Sequence, residues 1–266
     1  MQIGNYVCKE INGLFLCKSR LLLQFKNLFH IITAKKVNNE IYNIQDLDLS
    51  FKNPDFMKHY KILSNNLGID LENFIFTDQI HSNNLVYVNK EDLQGEFFEN
   101  EVSKTDGLVT DDKEVFLTTK YADCMPIIAY DPIKNVVGVA HSGWRGTLID
   151  MPKFLIIKLI DEFGSKPENI FVSIGPSIGP ESFEVGIDVA EKFYIKFGGK
   201  FIIQKGEKFL INLWSIAEEQ IYETGVRNIE ISMIDTYKYS EYFYSYRKEK
   251  TSKRFAVIAG LTDWVF

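Results

Sequence analysis

The stretch VFLTTKYADCMPIIAYDPIKNVVGVAHSGWRGT, residues 115–147, decides the fold of this 266-residue chain. Residues 115–119 and 127–130 are rich in β-branched, aromatic and other apolar side chains, and an Asp-Pro pair that indicates a turn follows the second of them. The apolar run 136–140 is short and lacks a helical period. The stretch therefore predicts buried strands that are neighbours in the chain.

Metal-capable side chains lie at the ends of these predicted strands. Cys124 lies between the first two strands, and His141 directly follows the third. Residues 142–146 contain too much glycine for regular structure, and Thr147 is a good N-cap for the amphipathic run after it. A strand, a glycine loop and a helix start together present backbone N–H groups to an anion.

A third candidate ligand is His81, at the end of the strand-like run 74–81. With Cys124 and His141 it makes a set of two imidazoles and one thiolate, which zinc accepts. Three protein ligands with an open fourth position are typical of catalytic zinc sites. The spacing along the chain matches no local zinc motif, so the site depends on the fold to bring the three residues together.

Six short motifs are spread along the chain, at Gln79–His81, Thr105–Thr110, Ala122–Pro126, Ala140–Gly146, Ile174–Pro180 and Phe243–Arg247. They resemble the successive motifs of the YfiH family, whose members are also called laccase-domain or polyphenol oxidoreductase proteins. The resemblance runs from about Phe74 to the C-terminus, and the pair ADC and HxGWRG is its most specific part.

The resemblance implies an α/β (α+β) fold in which residues 1–266 form one domain, with a mixed central β-sheet flanked by helices. It also implies a zinc ion bound by His81, Cys124 and His141. The implied activity is phosphorolysis of adenosine, inosine, guanosine or S-methyl-5′-thioadenosine, together with deamination of adenosine. Some bacterial members are described instead as peptidoglycan-editing amidases that act on a cell-wall precursor.

For this chemistry we assign catalytic roles to Cys124, Asp123 and Arg145. Cys124 as a thiolate completes the metal site, where zinc brings the pKa of water near neutrality. Asp123 is expected to orient His81 or His141, because metal-bound histidines usually need a carboxylate partner, and its simpler role is a loop-capping hydrogen bond. Arg145, the nearby backbone N–H groups and the following helix dipole are expected to hold phosphate.

Substrate contacts are assigned to Ser142 and Gly143 in the glycine loop, to Asp106, whose simpler role is that of a turn residue, and to Arg247. Arg247 lies in the tyrosine-rich segment 237–254 and is expected to make a second anion contact. The aromatic and guanidinium groups of this segment suit a planar base with an anionic or ribosyl tail.

Three other functions remain to be considered. An amidase would use Cys124 as its nucleophile, His141 as the base and Asp123 to orient the histidine. A noncatalytic zinc-stabilised binding protein would unfold when the metal is removed. A multicopper oxidase needs many imidazoles, and this chain has four histidines, so we expect copper only as an adventitious occupant of the His-Cys-His site.

Composition bounds the partners and the compartment. Thirty basic and 36 acidic residues give a net charge of −6, which disfavours nonspecific binding to nucleic acid or to an anionic membrane. Charged residues interrupt the N-terminal region, which has neither a signal-peptide core nor a membrane span. Three cysteines without a C-x-x-C pair predict that Cys8 and Cys17 are unpaired apolar strand residues, and favour the cytoplasm. Monomer and homodimer stay open.

The rest of the pattern predicts a meander of short strands over residues 5–34, helices over 54–67, 148–163, 187–197 and 212–224, and final strands over 229–234 and 255–261. His30 has apolar neighbours and is expected to be a hydrogen-bonded core or surface histidine and not a metal ligand, whereas His59 is expected on a solvated helix face. The acidic segment 90–104 is expected to be a mobile excursion or a lid.

Three segments depart from the motifs usual in the family. Thr33-Ala-Lys-Lys36 replaces Thr-Arg-Gly-Gly, which removes an arginine whose bidentate fork a lysine lacks. Asp235-Thr236 replaces Cys-Thr, and Ser252-Lys-Arg254 replaces Thr-Gly-Arg. Because the last two lie near the inferred pocket, the substrate range is the property that the resemblance transfers least securely.

Overall fold

Residues 1–93 and 95–264 are described by a computed structural model, and within them the chain forms 17 β-strands and seven α-helices. The strands are β1 (Gln2–Ile3), β2 (Tyr6–Ile11), β3 (Leu14–Ser19), β4 (Leu28–Val37), β5 (Phe74–Thr77), β6 (Leu85–Tyr87), β7 (Glu101–Val102), β8 (Gly107–Thr110), β9 (Phe116–Tyr121), β10 (Met125–Asp131), β11 (Val136–Ser142), β12 (Phe171–Ile174), β13 (Glu184–Val185), β14 (Ile202–Lys205), β15 (Lys208–Ile211), β16 (Asn228–Ile231) and β17 (Phe255–Leu261). The helices are α1 (Asn39–Tyr42), α2 (Phe56–Leu67), α3 (Trp144–Leu148), α4 (Met151–Phe163), α5 (Ile187–Phe197), α6 (Leu213–Tyr222) and α7 (Tyr246–Glu249).

Two large sheets pack face to face. In the described part of the chain, one has eight strands in the order β1-β2-β3-β4-β17-β9-β5-β7, and the other has six in the order β16-β12-β10-β11-β8-β6. Strand β17 shows how the sheets share the core: Val257 and Ala259 pack in the cluster between the sheets, whereas Ala256 and Ile258 face the other way. Because alternate residues point to opposite faces, each sheet has a second apolar face to cover.

Helices cover the two outer faces. On the eight-stranded sheet, Tyr60 and Leu63 of α2 pack with Phe74 and Phe76. On the six-stranded sheet, α4 and α6 supply the cover. The small sheet β13-β15-β14 contacts α5 beside them. The predicted α/β class is therefore confirmed, with the strands divided among three sheets in the described residues instead of gathered in one central sheet.

Capping residues fixed most helix ends as predicted. Helix α2 ends at Gly68 in the left-handed conformation, α5 has the predicted bounds, and the Asn212 side chain caps α6 by accepting from Ser215 N. The helix predicted over 148–163 is wrong at its start, because α3 and α4 are separate helices. Asp150, with φ of 65°, interrupts the helical backbone between them.

Cys8 and Cys17 form a disulfide, so the prediction of two unpaired apolar cysteines is wrong. The two residues are directly opposite each other in the antiparallel pair β2–β3, with their Cα atoms 4.1 Å apart. Strand register, which the cysteine count does not report, brings the sulfurs together. The cysteine argument for a reducing compartment loses its basis with this bond.

The two histidines outside the predicted site are both buried. His30 is in the core, one of the two locations predicted for it, with its Nε2 3.3 Å from the Ser19 carbonyl oxygen. His59 was expected on a solvated face, and this is wrong: its side chain turns inward and its Nδ1 accepts a hydrogen bond from Asp48 N at 3.1 Å. The chain before α2 folds over that face and supplies the donor.

The acidic segment 90–104 is attached to the sheet edge. Phe97 is buried in the outer core, and β7 pairs in parallel with β5. Gln94, within this segment, lies outside the described residues. The attachment contradicts the expectation of a free excursion, and only Glu101 of this segment lines the cavity described below, so its described part does not form a lid. Among the described residues, no helix is long and apolar enough to span a bilayer.

His30 predicts a pH dependence of stability. Burial lowers the pKa of His30 to about 3, and its Nδ1 has no hydrogen-bond partner among the described residues. The unfolded chain therefore binds this proton more readily, so stability is lost as pH falls below about 6.5. We expect the His30 contribution to the free energy of unfolding to fall by about 3 kcal/mol between pH 7 and 4.5.

Urea unfolding of wild type and His30→Leu across this pH range measures the effect. Between pH 7 and 4.5 the free energy of unfolding of the variant should fall by about 3 kcal/mol less than that of wild type, because the other titrating groups are common to both proteins. Parallel curves would contradict the assignment.

Candidate metal and active site

The fold brings His81, Cys124 and His141 together. Strands β5 and β9 are parallel neighbours, so the loops after their carboxyl ends, which carry His81 and Cys124, meet at one edge of the sheet. In the hairpin β10–β11, His141 is the register partner of Pro126, two residues from Cys124. One ligand atom from each of the three residues lies within 4.8 Å of the others, and Cys124 Sγ is 3.9 Å from His81 Nε2.

The Asp106 carboxylate organises these ligands from behind. It is fully buried, and His141 Nδ1 donates to its Oδ1 at 2.8 Å, which leaves Nε2 as the ring nitrogen that can bind a metal. The same carboxylate accepts from the backbone N–H groups of Ile80, His81 and Ser82 at 3.2, 2.9 and 2.6 Å. Ser82 Oγ adds a fifth hydrogen bond at 2.7 Å.

Charge coupling within the cluster suits a metal-binding thiolate. Burial raises the pKa of Cys124, but His141 and His81 outweigh it and lower that pKa to about 6. Burial likewise opposes protonation of His141, but the Cys124 thiolate and Asp106 raise its pKa to about 9. An N, S, N set with a carboxylate behind one histidine fits zinc with one position left for another ligand.

Steric and backbone features confine the cluster. His81 and Asp123 have φ values of 64° and 88°, which non-glycine residues rarely adopt and which concentrate at functional sites. A Cβ atom on Gly143 would lie 2.9 Å from Cys124 Sγ and 3.0 Å from His81 Cδ2. Only glycine at this position lets the loop after β11 pass so close to the ligands.

A cavity of about 820 Å³ opens over the three ligands. One wall comes from the core cluster outside the six-stranded sheet, through Trp144, Ile178, Phe183, Val185 and Leu213. A second group of lining residues comes from the eight-stranded sheet and the chain before α2: Phe51, Thr77, Gln79, Glu101 and Lys120. Tyr246, Arg247, Lys250 and Arg254 also line it. We call the first group, which is mostly apolar, the apolar lobe, and the second group together with Arg247, Lys250 and Arg254 the polar lobe. The two are in contact, because the Arg247 guanidinium lies 5.5 Å from the Phe183 ring centroid.

Asp123 does not orient a histidine, contrary to the prediction. Its Oδ1 accepts from Thr236 Oγ1 at 2.7 Å, and its Oδ2 accepts from Arg247 N at 2.6 Å. Asp123 thus ties the segment before α7 to the Cys124 loop. Asp106, which we assigned to substrate binding, is fully buried and performs the orienting role.

The assignments in the glycine loop are corrected in part. Gly143 lines the cavity as predicted, but Ser142 is fully buried and its Oγ lies 2.9 Å from Thr147 Oγ1. Helix α3 begins at Trp144 with Gly143 as its N-cap, four residues before the cap predicted at Thr147. Arg145 consequently points outward, exposed, with its guanidinium 4.2 Å from the Trp144 ring centroid, and it does not line the cavity.

Arg247 lies at the cavity as predicted. Its Nη1 donates to the Glu184 and Ser182 carbonyl oxygens at 2.7 and 3.3 Å, so part of the guanidinium is committed to the protein. Asp235, at a position where the family usually has cysteine, accepts from Ser182 Oγ at 2.6 Å. Asp235 therefore stabilises the loop that contains Ser182, and it does not line the cavity.

The sequence did not lead us to predict that Phe51 and Lys120 line the cavity. A signal for Lys120 was present, because it is the one charged residue of strand β9, one residue before the strand ends. No such signal marks Phe51, which reaches the cavity through the path of the chain before α2.

Comparisons with known proteins identify the family of the chain. The family model of the multi-copper polyphenol oxidoreductase laccases matches residues 32–262. The purine nucleoside phosphorylase YlmD of Bacillus subtilis is 35% identical over 136 residues, 50% of this chain and 49% of that protein, so the alignment spans about half of each. The purine nucleoside phosphorylase YfiH of Shigella flexneri is 31% identical over 185 residues, 68% of this chain and 71% of that one.

A solved structure has the same architecture. The crystal structure of the Bacillus licheniformis hypothetical protein YfiH superposes with a TM-score of 0.85 at 25% identity, over 96% of this chain and 99% of that one. The family model, the relative that is 31% identical and the shared fold together show that the chain belongs to the YfiH-containing family of multi-copper polyphenol oxidoreductase laccases.

Proposed function

We propose that this chain is a metal-dependent purine nucleoside phosphorylase that uses zinc. One observation carries the proposal: the His81, Cys124 and His141 donor set lines a cavity whose wall combines apolar and aromatic side chains with lysine and arginine side chains. Relatives named purine nucleoside phosphorylase support the reaction class. Adenosine, inosine, guanosine and S-methyl-5′-thioadenosine are the proposed nucleosides, and adenosine deamination is a second proposed activity of the same site.

Phosphorolysis sets three demands on such a cavity. A phosphate oxygen forms a bond to C1′ of the ribose while the C1′–N9 bond breaks, and the purine leaves with the bonding electrons and takes up a proton. The ribose carries positive charge in the transition state, as in glycoside cleavage. The site must therefore hold phosphate near C1′, hold the base in place and restrict competing water.

The two lobes meet these demands with different side chains. Trp144, Phe183, Val185 and Leu213 offer an apolar and aromatic surface for the purine. Lys120, Arg247 and Arg254 offer positive charge for the phosphate. His81, Cys124 and His141 would hold the zinc ion, which when bound supplies a Lewis acid. Asp106 keeps His141 in the tautomer that leaves Nε2 free.

The family name refers to copper oxidases, and the residues favour zinc. Among the described residues, His81, Cys124 and His141 form the one group with ligand atoms close enough for a metal, and His30 and His59 are buried apart from it. A multicopper centre needs more imidazoles than this cluster has.

A cysteine amidase is the second candidate, supported by the chain of contacts from Cys124 through His141 to Asp106. The order nucleophile, histidine and buried carboxylate is the arrangement of cysteine hydrolases, with Asp106 in the place predicted for Asp123. The substrate class would be an amide of a cell-wall precursor. This candidate needs neither His81 nor a metal, which makes the two functions separable.

Asp106→Asn tests the metal site. In wild type the Asp106 carboxylate accepts five hydrogen bonds, whereas the N–H₂ group of an asparagine cannot accept them. His141 then loses its fixed orientation, and we expect zinc affinity to fall about 10–100-fold. Asp123→Asn, which removes a carboxylate of the adjacent loop, should change affinity less than about threefold. Competition with a chromophoric chelator, on variants with native circular dichroism, gives both values. Equal losses in the two variants would refute the role of Asp106.

Activity is tested with adenosine and inosine, each with and without phosphate, followed by chromatography on wild type, Cys124→Ala and His81→Ala. Free base and ribose 1-phosphate should appear only with phosphate. Both variants should lose more than about 100-fold in kcat/KM, because even outer partners of metal ligands are worth 10–100-fold.

The remaining outcomes discriminate among the functions. Inosine formed from adenosine without phosphate identifies deamination. Zinc-loaded wild type that leaves every purine nucleoside intact overturns the phosphorylase proposal. Amide hydrolysis that survives both chelation and His81→Ala, but is lost in Cys124→Ala, identifies the amidase.

A further inference from the structure

Lys120 is a buried cation in the wall of the cavity. Its Nζ lies 3.7 Å from the Phe51 ring centroid, 5.5 Å from the Phe76 ring centroid and 3.2 Å from Glu101 Oε1. The Lys120 side chain is only 12% exposed, whereas that of Glu101 is 35% exposed. An aromatic face and one carboxylate thus hold an ammonium group that lines a ligand-sized cavity.

The backbone fixes where this ammonium lies. The Gln79 side chain binds both backbone groups of Lys120: its Oε1 accepts from Lys120 N at 2.9 Å and its Nε2 donates to Lys120 O at 2.8 Å. Gln79 is two residues before His81, so the same loop clamps Lys120 and carries a metal ligand. These bonds hold the Lys120 backbone against the loop of His81, and the contacts with Phe51 and Glu101 then place the ammonium.

Arg254 shares this lobe. Lys120 is the register partner of Ala256 in the pair β9–β17, and Arg254 precedes Ala256 by two residues. Both residues line the cavity. Burial lowers the pKa of Lys120, Glu101 opposes this, and Arg254 lowers it further by repulsion. Two half-buried like charges that line one cavity form a site that an anion would stabilise.

We propose that Lys120 and Arg254 form the subsite for inorganic phosphate in this chain. The inference rests on the proposed phosphorylase function and replaces Arg145, which is outside the cavity. Arg254 Nη1 donates to the Thr251 and Lys253 carbonyl oxygens at 3.1 and 2.8 Å, so the other guanidinium N–H groups and the Lys120 ammonium are the donors that we assign to a tetrahedral oxyanion. The ammonium covers one face of the Phe51 ring, so this ring does not offer that face to a purine, which the apolar lobe accepts instead.

The Glu101 carboxylate competes with phosphate for the Lys120 ammonium. The carboxylate neutralises Lys120 in the absence of substrate and, being partly exposed on the two-residue strand β7, can return to water when phosphate binds. Removing the Glu101 charge should therefore tighten phosphate binding, whereas removing the Lys120 charge should weaken it. Opposite signs from the two members of one ion pair distinguish a competitive subsite from a structural salt bridge.

The test is calorimetric binding of inorganic phosphate to the zinc-loaded full chain, alongside KM for phosphate and for inosine. Lys120→Met should raise the Kd and KM for phosphate at least about tenfold and leave KM for inosine within about twofold, as expected for loss of a charged hydrogen bond. Lys158→Met is the matched control, because Lys158 is similarly buried at 14% exposure and pairs with Glu162 on α4, away from the cavity.

Glu101→Gln should lower the Kd for phosphate several-fold, and this gain should vanish in the Lys120→Met background. Because this variant retains Lys120, it tests the subsite even if Lys120→Met folds poorly. Equal effects of Lys120→Met and Lys158→Met, or a weaker phosphate affinity in Glu101→Gln, would overturn the proposal.

Adenosine 5′-monophosphate separates two sources of the anion. If Lys120→Met weakens binding of the nucleotide but not of inorganic phosphate, the subsite belongs to a nucleotide phosphate and the proposal is wrong. If wild type binds phosphate through Lys120 yet cleaves no nucleoside, the subsite stands and the phosphorylase function falls. If Lys120→Met loses nucleoside cleavage without any change in phosphate binding, the phosphorylase function stands and the phosphate subsite falls.

Discussion

The buried carboxylate of Asp106 is the constraint on which the rest of the site depends. It accepts from the ring of His141 and from three consecutive backbone N–H groups that include His81, so one side chain fixes both histidines. A buried anion is tolerated because five donors replace its hydration. The same bonds hold His81 at a left-handed φ that its own conformational preference opposes.

Parts of the chain that are distant in sequence must assemble before this site exists. Strand β17 lies between β4 and β9 in the eight-stranded sheet, so a segment near the C-terminus completes the wall that carries Lys120. Asp123 then binds Thr236 and the backbone of Arg247, which joins the C-terminal segment to the Cys124 loop. Loops presented by two packed sheets combine precise ligand positions with an open cavity above them.

The errors of prediction share one physical origin, which is that side-chain direction depends on register and on where a helix begins. A start of α3 at Trp144 instead of after Thr147 turned Arg145 from an expected phosphate ligand into an exposed residue on Trp144. The β2–β3 register paired Cys8 with Cys17, and the chain before α2 enclosed His59. None of these relations is encoded by local composition or periodicity.

The sequence by itself determined the α/β class, most element positions and the three candidate metal ligands, because apolar periodicity, capping residues and family motifs are local signals. Tertiary structure alone decided which carboxylate orients His141, which arginine faces the cavity and that Lys120 lies within it. Those outcomes depend on the parallel pairing of β5 with β9 and on the antiparallel registers of β10–β11 and β9–β17. Long-range pairing of this kind is set by the free energy of the whole packed core, which no short stretch of sequence reports.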